Sequence, residues 1–331
     1  MRSEAIAAAL GLSPLMAFVA SGQGSTTHVV LAPSINASPS ALADRPFTTS
    51  DTRRAGVRPE ATYWSTGTWI TAYPSYYEFD GQENVEGMAT DRSGDLFVAN
   101  SVAGTIEEYP PGGAANPTNT LIDPGQAPMS VAVCPDGTIY AANRTPEYGT
   151  PLVTVYEPGA SSPTTTFTQP GAAIVWTVAC DRESNVYVSW TQSEPPSPQF
   201  IVKYAPGGVN GVTLKAAPNP LTFMIDFAVD NKGVLAMLVY DQSSGYGEVD
   251  FISQNKTKPE RVISGLDNPH QLAFDADSQD LVWTTQTVFY PPLDTPYPQV
   301  VEYTRSGREV LNLAQQFTTY GIASGVLPKQ R

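Results

Sequence analysis

A segment with a fixed internal pattern recurs five times along the chain, and no other feature constrains the fold as strongly. Each copy has an apolar strand, a turn that contains Asp or Gly, and a second apolar strand. The copies align on Asp91, Cys134, Asp181, Asp230 and Asp275, which gives intervals of 43, 47, 49 and 45 residues. Such regular recurrence indicates one supersecondary unit repeated along the chain. An open β-sandwich would not require a fixed period.

Each copy is long enough for four strands. The turns between the first two strands read DRSG at residues 91–94 and PDG at residues 135–137. In such turns Asp side chains accept hydrogen bonds from backbone N–H groups, and Gly adopts the positive φ that the turn needs. A third strand ends in an aromatic residue before a Pro-containing turn, at Tyr109, Tyr156 and Tyr204, and a weaker fourth strand follows, for example at residues 120–122 and 261–263. Four strands in about 45 residues is the pattern of a β-propeller blade.

The two ends of the repeat region look like two parts of one blade. Residues 321–324 match the first strand of the pattern, whereas residues 62–65, 69–74 and 77–79 resemble the second, third and fourth strands. We therefore predict an all-β fold, a six-bladed propeller with four-stranded blades of about 45 residues. In this prediction a composite blade from both termini closes the ring. Closure would also pair strand edges that otherwise promote aggregation.

The chain outside the repeats divides into three segments. Residues 1–20 contain an apolar run that Pro14 interrupts, which is typical of a cleaved signal peptide and predicts a secreted or periplasmic protein. An amphipathic N-terminal helix is the alternative, but the apolar residues occupy every face of such a helix. Residues 21–61 are rich in Ser, Thr, Ala and Pro and predict a flexible linker. The propeller is expected over residues 62–328, with a short tail at 329–331 and no transmembrane anchor.

The net charge excludes one class of partner. The 331 residues include 18 Lys and Arg against 32 Asp and Glu, a formal net charge of −14, whereas a nucleic-acid-binding domain needs a basic surface. The 26 Gly and 30 Pro residues fit a fold with many turns between short strands. We expect a monomer whose partner is a small molecule or a protein, and no nucleic acid.

Two cysteines, Cys134 and Cys180, are the only ones in the chain. The repeat alignment places them one position out of register on neighbouring inner strands. Because side chains one position apart on a strand point to opposite faces, the pattern favours two buried thiols over a disulfide.

Two segments between second and third strands are long and rich in proline, at residues 193–198 and 290–298. We expect stiff loops there. They would either form a recognition surface or lengthen the turn without binding a partner.

The repeats resemble the NHL family of six-bladed propellers, whose consensus has a small residue, alternating apolar residues, Asp, a Gly-containing turn and an apolar-aromatic strand. The resemblance covers about residues 62–328. It implies the fold well and the function poorly, because the same architecture is found in ligand binders, scaffolds, lactonases and lyases. The chain also looks like exported bacterial propellers whose third strands end in similar Tyr-Pro-Gly turns.

Candidate binding residues lie where the first strand of each blade begins, since propeller ligands usually bind at that mouth of the central channel. The position before each strand holds Glu86, Met129, Trp176, Ile225, His270 and Tyr320, and the next position holds Gly87, Ser130, Thr177, Asp226, Gln271 and Gly321. Apolar walls that carry a few polar groups suit a small-molecule pocket. The sequence thus predicts a channel-mouth site at Glu86, Trp176, Asp226, His270, Gln271 and Tyr320, with no catalytic residue assigned.

Three of these residues could bind a divalent cation such as Ca²⁺ or Zn²⁺, namely Glu86, Asp226 and His270. The related gluconolactonase and regucalcin group uses an inner-strand Glu followed by Gly, together with an Asn and an Asp. Glu86 with Gly87 resembles the first element and Asp226 the last, but no Asn begins an inner strand here. Streptogramin lyases use paired histidines, whereas the only histidine besides His270 is His28, in the predicted linker.

Two functional hypotheses from different classes follow, and both place the site at the channel mouth. In the first, the protein is an exported NHL-like propeller that binds a ligand or a protein and is not an enzyme. In the second, it is a metal-dependent lactonase or esterase. A purely structural role in an envelope or matrix assembly is a third alternative.

Overall fold

The computed structural model describes residues 60–65, 69–73, 77–80, 85–111, 114, 116–123, 127–143, 150–192, 198–218, 222–241, 246–275, 281–290, 295–314 and 322–326, with side chains described from Gly87 onward apart from several gaps. All of these residues belong to one compact unit, Arg54–Arg331. The predicted signal peptide and nearly all of the predicted linker lie outside the described residues, and their assignments stay predictions.

Five blades are each formed by four consecutive antiparallel strands. The strands of the first, second and third blades are β4 (Val85–Thr90), β5 (Leu96–Asn100), β6 (Thr105–Tyr109), β7 (Asn119–Ile122), β8 (Pro128–Val133), β9 (Ile139–Asn143), β10 (Leu152–Tyr156), β11 (Thr165–Phe167), β12 (Ile174–Cys180), β13 (Val186–Thr191), β14 (Gln199–Tyr204) and β15 (Gly211–Thr213). Those of the fourth and fifth blades are β16 (Thr222–Val229), β17 (Val234–Asp241), β18 (Tyr246–Ser253), β19 (Arg261–Asp267), β20 (Pro269–Phe274), β21 (Leu281–Tyr290), β22 (Thr295–Thr304) and β23 (Glu309–Ala314).

A further four-stranded sheet, here called the terminal sheet, combines strands from both ends of the repeat region. It contains β1 (Glu60–Ser65), β2 (Trp69–Tyr73), β3 (Tyr77–Asp80) and β24 (Ile322–Val326), in the order β24-β1-β2-β3. Where β24 pairs with β1, Tyr63 lies opposite Ala323. The innermost strands of the sheets lie next to one another in the order β4, β8, β12, β16, β20 and β24, and β24 lies next to β4. The fold is therefore an all-β propeller with four-stranded antiparallel blades.

The turns between the first two strands have the chemistry that the sequence predicts. Asp91 accepts hydrogen bonds through Oδ1 from the N–H groups of Ser93 and Asp95, at 2.8 and 2.9 Å. Asp181 and Asp230 do the same in the third and fourth blades. The fourth residue of these turns has a positive φ at Gly94, Gly137, Ser184 and Gly233. Each turn thus sets the register of its hairpin.

Residue size on the innermost strands reflects how close neighbouring blades approach near the axis. The second residue after the start of the repeat pattern is alanine on all five strands, at Ala89, Ala132, Ala179, Ala228 and Ala273. These alanines include members of the hydrophobic clusters between blades, where they pack against larger side chains such as Phe97, Tyr140, Tyr187 and Leu235. Small residues near the axis and large ones farther out fill the wedge-shaped space between two radial sheets.

Cys134 and Cys180 form a disulfide, and the expectation of two separate thiols is wrong. Their Cα atoms are 5.2 Å apart, within the usual range for a disulfide. The rule that successive side chains point to opposite faces applies to residues of one sheet. These cysteines instead lie at the ends of β8 and β12, innermost strands of two different blades that face each other near the axis. Register within one sheet therefore does not decide their distance.

The predicted loop at residues 290–298 is also wrong, because most of it is strand. β21 continues to Tyr290 and β22 begins at Thr295, with Thr287 paired to Pro298 and Phe289 to Pro296. β23 pairs with β22 only from Gln299 onward. The two prolines therefore lie where β22 has no outer neighbour in the described sheet, so no hydrogen bond to such a neighbour is lost there.

Candidate functional site

The innermost strands share an irregularity at the end where they begin, here called the mouth end. In each of the five blades the innermost strand has a register shift against the second strand, between Val85/Gly87, Pro128/Ser130, Val175/Val178, Met224/Asp226 and Pro269/Gln271. The extra residue is Glu86 in the first blade, Met129 in the second, Ile225 in the fourth and His270 in the fifth. In the third blade two residues, Trp176 and Thr177, lie opposite Ser189. A β-bulge leaves one residue out of the ladder and turns its side chain in a new direction. These are the positions that the sequence predicts at the mouth.

Hydroxyl groups satisfy the backbone at two of these bulges. Ser189 Oγ accepts a hydrogen bond from Thr177 N at 3.0 Å, and Thr285 Oγ1 accepts one from Gln271 N at 3.0 Å. Both hydroxyls lie on the second strand of their blade and both residues are buried. The bulges are thus supported by side chains placed to receive the displaced N–H groups.

The residue that follows the bulge connects one blade to the next. Ser130 Oγ accepts a hydrogen bond from Val178 N at 3.2 Å, and Asp226 Oδ2 accepts one from Leu272 N at 3.0 Å. At the same position in the first blade, an added Cβ on Gly87 would lie 2.6 Å from the carbonyl oxygen of Met129. Glycine is needed there because the backbone of the second blade approaches so closely.

Asp226 accepts hydrogen bonds from three directions. Besides Leu272 N, the donors are Phe227 N at 2.9 Å and Thr177 Oγ1 at 3.1 Å, both to Oδ1. Burial raises the pKa of Asp226 to about 7, and these hydrogen bonds act in the opposite direction. The carboxylate therefore joins the third, fourth and fifth blades near the mouth, and it holds a negative charge there when ionised.

His270 occupies the bulge of the fifth blade, and its imidazole is half-buried. Burial lowers the pKa of His270 to about 4, so the ring is neutral at pH 7. The next residue, Gln271, is also half-buried. At neutral pH this part of the mouth thus offers uncharged polar groups.

Two aromatic rings meet at the mouth of the third and fourth blades. Trp176 and Phe223 are both half-buried, and their ring centroids lie 5.3 Å apart with an interplanar angle of 83°. Gln199 fixes the backbone beside Phe223, since its Nε2 donates to Met224 O at 2.8 Å and its Oε1 accepts from Met224 N at 2.5 Å. The rings are consequently held on a rigid support.

The structure brings together part of the predicted site. Trp176 and Asp226 lie in one sector, joined through Thr177, and His270 and Gln271 belong to the neighbouring strand β20. Tyr320 and the side chain of Glu86 lie outside the described residues. The complete six-residue site therefore stays a prediction.

The structure describes the side chains of two of the three residues in the predicted metal set, Asp226 and His270. Among the residues that the structure describes, no three His, Cys, Asp or Glu side chains group as a metal site would require. Both oxygens of Asp226 already accept hydrogen bonds. Asp226 follows a bulge and faces the next blade, whereas His270 is itself the bulged residue. Since the Glu86 side chain is not described, the full metal set remains a prediction.

Sequence reasoning missed Phe223, Gln199 and the two hydroxyls that support the bulges. Phe223 precedes the repeat pattern because β16 begins earlier than the pattern does. Gln199 acts across a blade boundary, and no local signal marks such a contact. Ser189 is a hydroxyl residue within the mostly apolar strand β13, and that polarity could have indicated it. Thr285 lies in a polar run, residues 284–287, and does not stand out.

Comparison with known proteins identifies the fold alone. No family model and no curated protein matches the sequence. A protein of unknown function from Bacteroides caccae superimposes with a TM-score of 0.56 at 14% identity, over 80% of this chain and 98% of that one. A candidate gluconolactonase gives 0.54 at 13% identity, over 77% and 91%, and a streptogramin B lyase gives 0.50 at 12% identity, over 81% and 87%. Across the described residues, no helix is long and apolar enough to span a membrane.

Proposed function

We propose that the protein is an exported, NHL-like propeller that binds a small molecule at the mouth end and is not an enzyme. The observation that carries the proposal is the recurrent bulge, which interrupts the ladder of the innermost strand at the same end of each of the five blades. Where the side chains are described, they include the half-buried Trp176 and His270. Partly accessible apolar rings beside a few polar groups suit a ligand pocket.

We further propose that the terminal sheet is a sixth blade. It has four antiparallel strands like the other blades, and β24 lies beside both β20 and β4. In this arrangement the bulges of the five blades and the beginning of β24 would surround one channel mouth.

The disulfide between Cys134 and Cys180 supports export. Disulfides persist in oxidising compartments and are rare in the reducing cytosol of most organisms. A bond that joins two innermost strands also fixes the mouth-bearing strands β8 and β12 to each other.

A thermal-shift screen with a library of soluble metabolites tests the proposal. We expect compounds that raise the melting temperature of the native chain, and we expect Trp176→Ala to abolish the shift. The matched control is Val212→Ala on the outer strand of the same blade, where Val212 is 69% exposed; this variant should keep the shift. Binding that Trp176→Ala leaves unchanged would contradict a site at the mouth, and the lack of any binder would contradict the small-molecule proposal.

The alternative of a metal-dependent lactonase is distinguished by the same measurement. Calcium, zinc and manganese should leave the melting temperature unchanged if no metal is bound. A rise that Glu86→Ala abolishes would replace the binding proposal with the hydrolase, because Glu86 is one of its expected ligands.

A further inference from the structure

Positive charge is distributed unevenly between the two ends of the strands. Strand direction places the first turn of every blade at the end opposite the mouth, here called the hairpin end. The described Lys and Arg residues at or beside turns of the hairpin end are Arg92, Arg182, Lys203, Lys232, Lys256, Lys258, Arg261, Arg305 and Arg308. Of the Lys and Arg in the described part of the chain, only Lys215 lies toward the mouth end, at an exposed position after β15.

Carboxylates occupy the mouth end of the fourth blade. Asp241 lies opposite Thr222 at the end of β17, and Asp267 lies opposite Tyr246 at the end of β19. Glu248 is two residues inside β18. Burial raises the pKa of Asp267, and burial together with the charge of Asp241 raises the pKa of Glu248. The effect of Asp241 on Glu248 shows that these two carboxyl groups lie near each other.

Of these carboxylates, Asp241 lies nearest to the aromatic pair in the strand register. Phe223 pairs with Tyr240, the residue before Asp241. Trp176 precedes Thr177, whose hydroxyl donates to Asp226 at 3.1 Å. The two rings form a nearly perpendicular pair, in which the edge of one ring meets the face of the other. Aromatic faces carry a negative quadrupole that attracts cations.

We propose that the mouth sector of Trp176 and Phe223 binds an organic cation with an apolar body, of the quaternary ammonium class. This inference rests on the proposed binding function and specifies its ligand. The rings would contact the apolar groups and the diffuse charge, while Asp241 and the other carboxylates at the mouth end of the fourth blade would favour positive over negative ligands. The net charge of −14 would concentrate cations near the protein.

Choline and two analogues of its shape test the proposal on the full chain. In 3,3-dimethylbutan-1-ol a carbon replaces the charged nitrogen, and 3,3-dimethylbutanoate carries a negative charge instead. We expect choline to bind about tenfold more tightly than the neutral alcohol, as measured by calorimetric titration at low salt, because cation–π contacts contribute about 1–2 kcal/mol. The carboxylate should not bind measurably.

Two substitutions at one position separate cation recognition from hydrophobic contact. Trp176→Phe keeps an aromatic face and should retain choline binding within about threefold, whereas Trp176→Leu keeps only apolar bulk and should remove the tenfold preference. Val212→Ala is the control and should bind as the native chain does.

In the choline titrations, the inference would be overturned by equal affinity for choline and its neutral isostere, by a choline preference that survives in Trp176→Leu, or by no binding of choline up to tens of millimolar. A metabolite from the screen that is neutral or anionic and depends on Trp176 would overturn the cation inference while supporting the proposed function. If instead choline binding is tight and independent of Trp176, a site away from the mouth is indicated, and both proposals fail for that ligand.

Discussion

One position on each innermost strand decides how closely two blades approach and how they are joined. The residue after the bulge is Gly87, Ser130, Thr177, Asp226 or Gln271. Glycine lets the first two blades come into backbone contact, and Ser130 and Asp226 each accept a hydrogen bond from the neighbouring strand. An interpretation of Asp226 as a metal ligand therefore competes with a structural role that the hydrogen bonds already explain.

Gly87→Ala should destabilise the fold by about 1–3 kcal/mol, because its Cβ would overlap the backbone of Met129 and Ser130, which cannot move independently. Urea denaturation measures the change in the free energy of unfolding. Gly171→Ala is the reference, since its Cβ would meet no atom within 4 Å and its cost arises only from the positive φ, about 1 kcal/mol. Equal losses for the two variants would contradict close approach of the first two blades.

Among the structural elements, the innermost strands are joined most firmly at the second and third blades. The disulfide between Cys134 and Cys180 connects β8 to β12 at the hairpin end, and Ser130 connects the same strands toward the mouth. Cys134 also lies in a hydrophobic cluster that contains Val178 and Trp190. A covalent bond thus supplements packing that is already extensive.

Cys134→Ser combined with Cys180→Ser should lower the free energy of unfolding by about 2–4 kcal/mol, since the bond closes a loop between residues 46 positions apart. Denaturation with and without a reducing agent measures the effect. Reductant should destabilise the native chain and leave the double variant unchanged. Identical midpoints for the oxidised and reduced native chain would rule out a stabilising disulfide.

The sequence predicted strands and turns well because their causes are local. Asp91 and Gly94 determine a turn within a few residues, and the regular period then predicts the blade. The disulfide was mispredicted because the distance between Cys134 and Cys180 depends on how two sheets face each other. Phe223 was missed for a similar reason, since its contact with Trp176 crosses a blade boundary. Contacts between blades thus require the three-dimensional arrangement, whereas contacts within a blade follow from the pattern.

Across the whole molecule, several carboxyl groups are buried away from water. Burial raises the pKa of Asp250 and of Glu302 to about 7 each, with further contributions from the charges of Glu248 and Asp275 respectively. Asp226 is shifted in the same direction. The folded protein therefore binds more protons than the unfolded chain between about pH 4 and pH 7.

The melting temperature should consequently fall as the pH rises from 5 to 8, because stability decreases wherever the folded state binds more protons. His270 acts in the opposite direction below about pH 6.5, since burial lowers its pKa. The three carboxyl groups with raised pKa, Asp226, Asp250 and Glu302, outweigh this single histidine. Each unit of pKa difference corresponds to about 1.4 kcal/mol. Calorimetry at four pH values measures the trend.

Asp250→Asn and Glu302→Gln should each reduce this pH dependence, because neither new side chain titrates. Glu157→Gln, at an exposed position, should leave it unchanged. A melting temperature that rises steadily from pH 5 to pH 8 would show that these carboxyl groups are not held away from water.

The pairing of β1 with β24 has a consequence for the order in which the chain folds. The five blades of consecutive strands can each form as soon as their own four strands leave the ribosome. β1 leaves the ribosome early, yet its partner is the last described strand. Throughout synthesis the edge of β1 that β24 covers has no partner, so it is open to other strands. Pairing with β24 then covers this edge. A chain whose synthesis stops before β24 keeps the edge of β1 unpaired and open to aggregation.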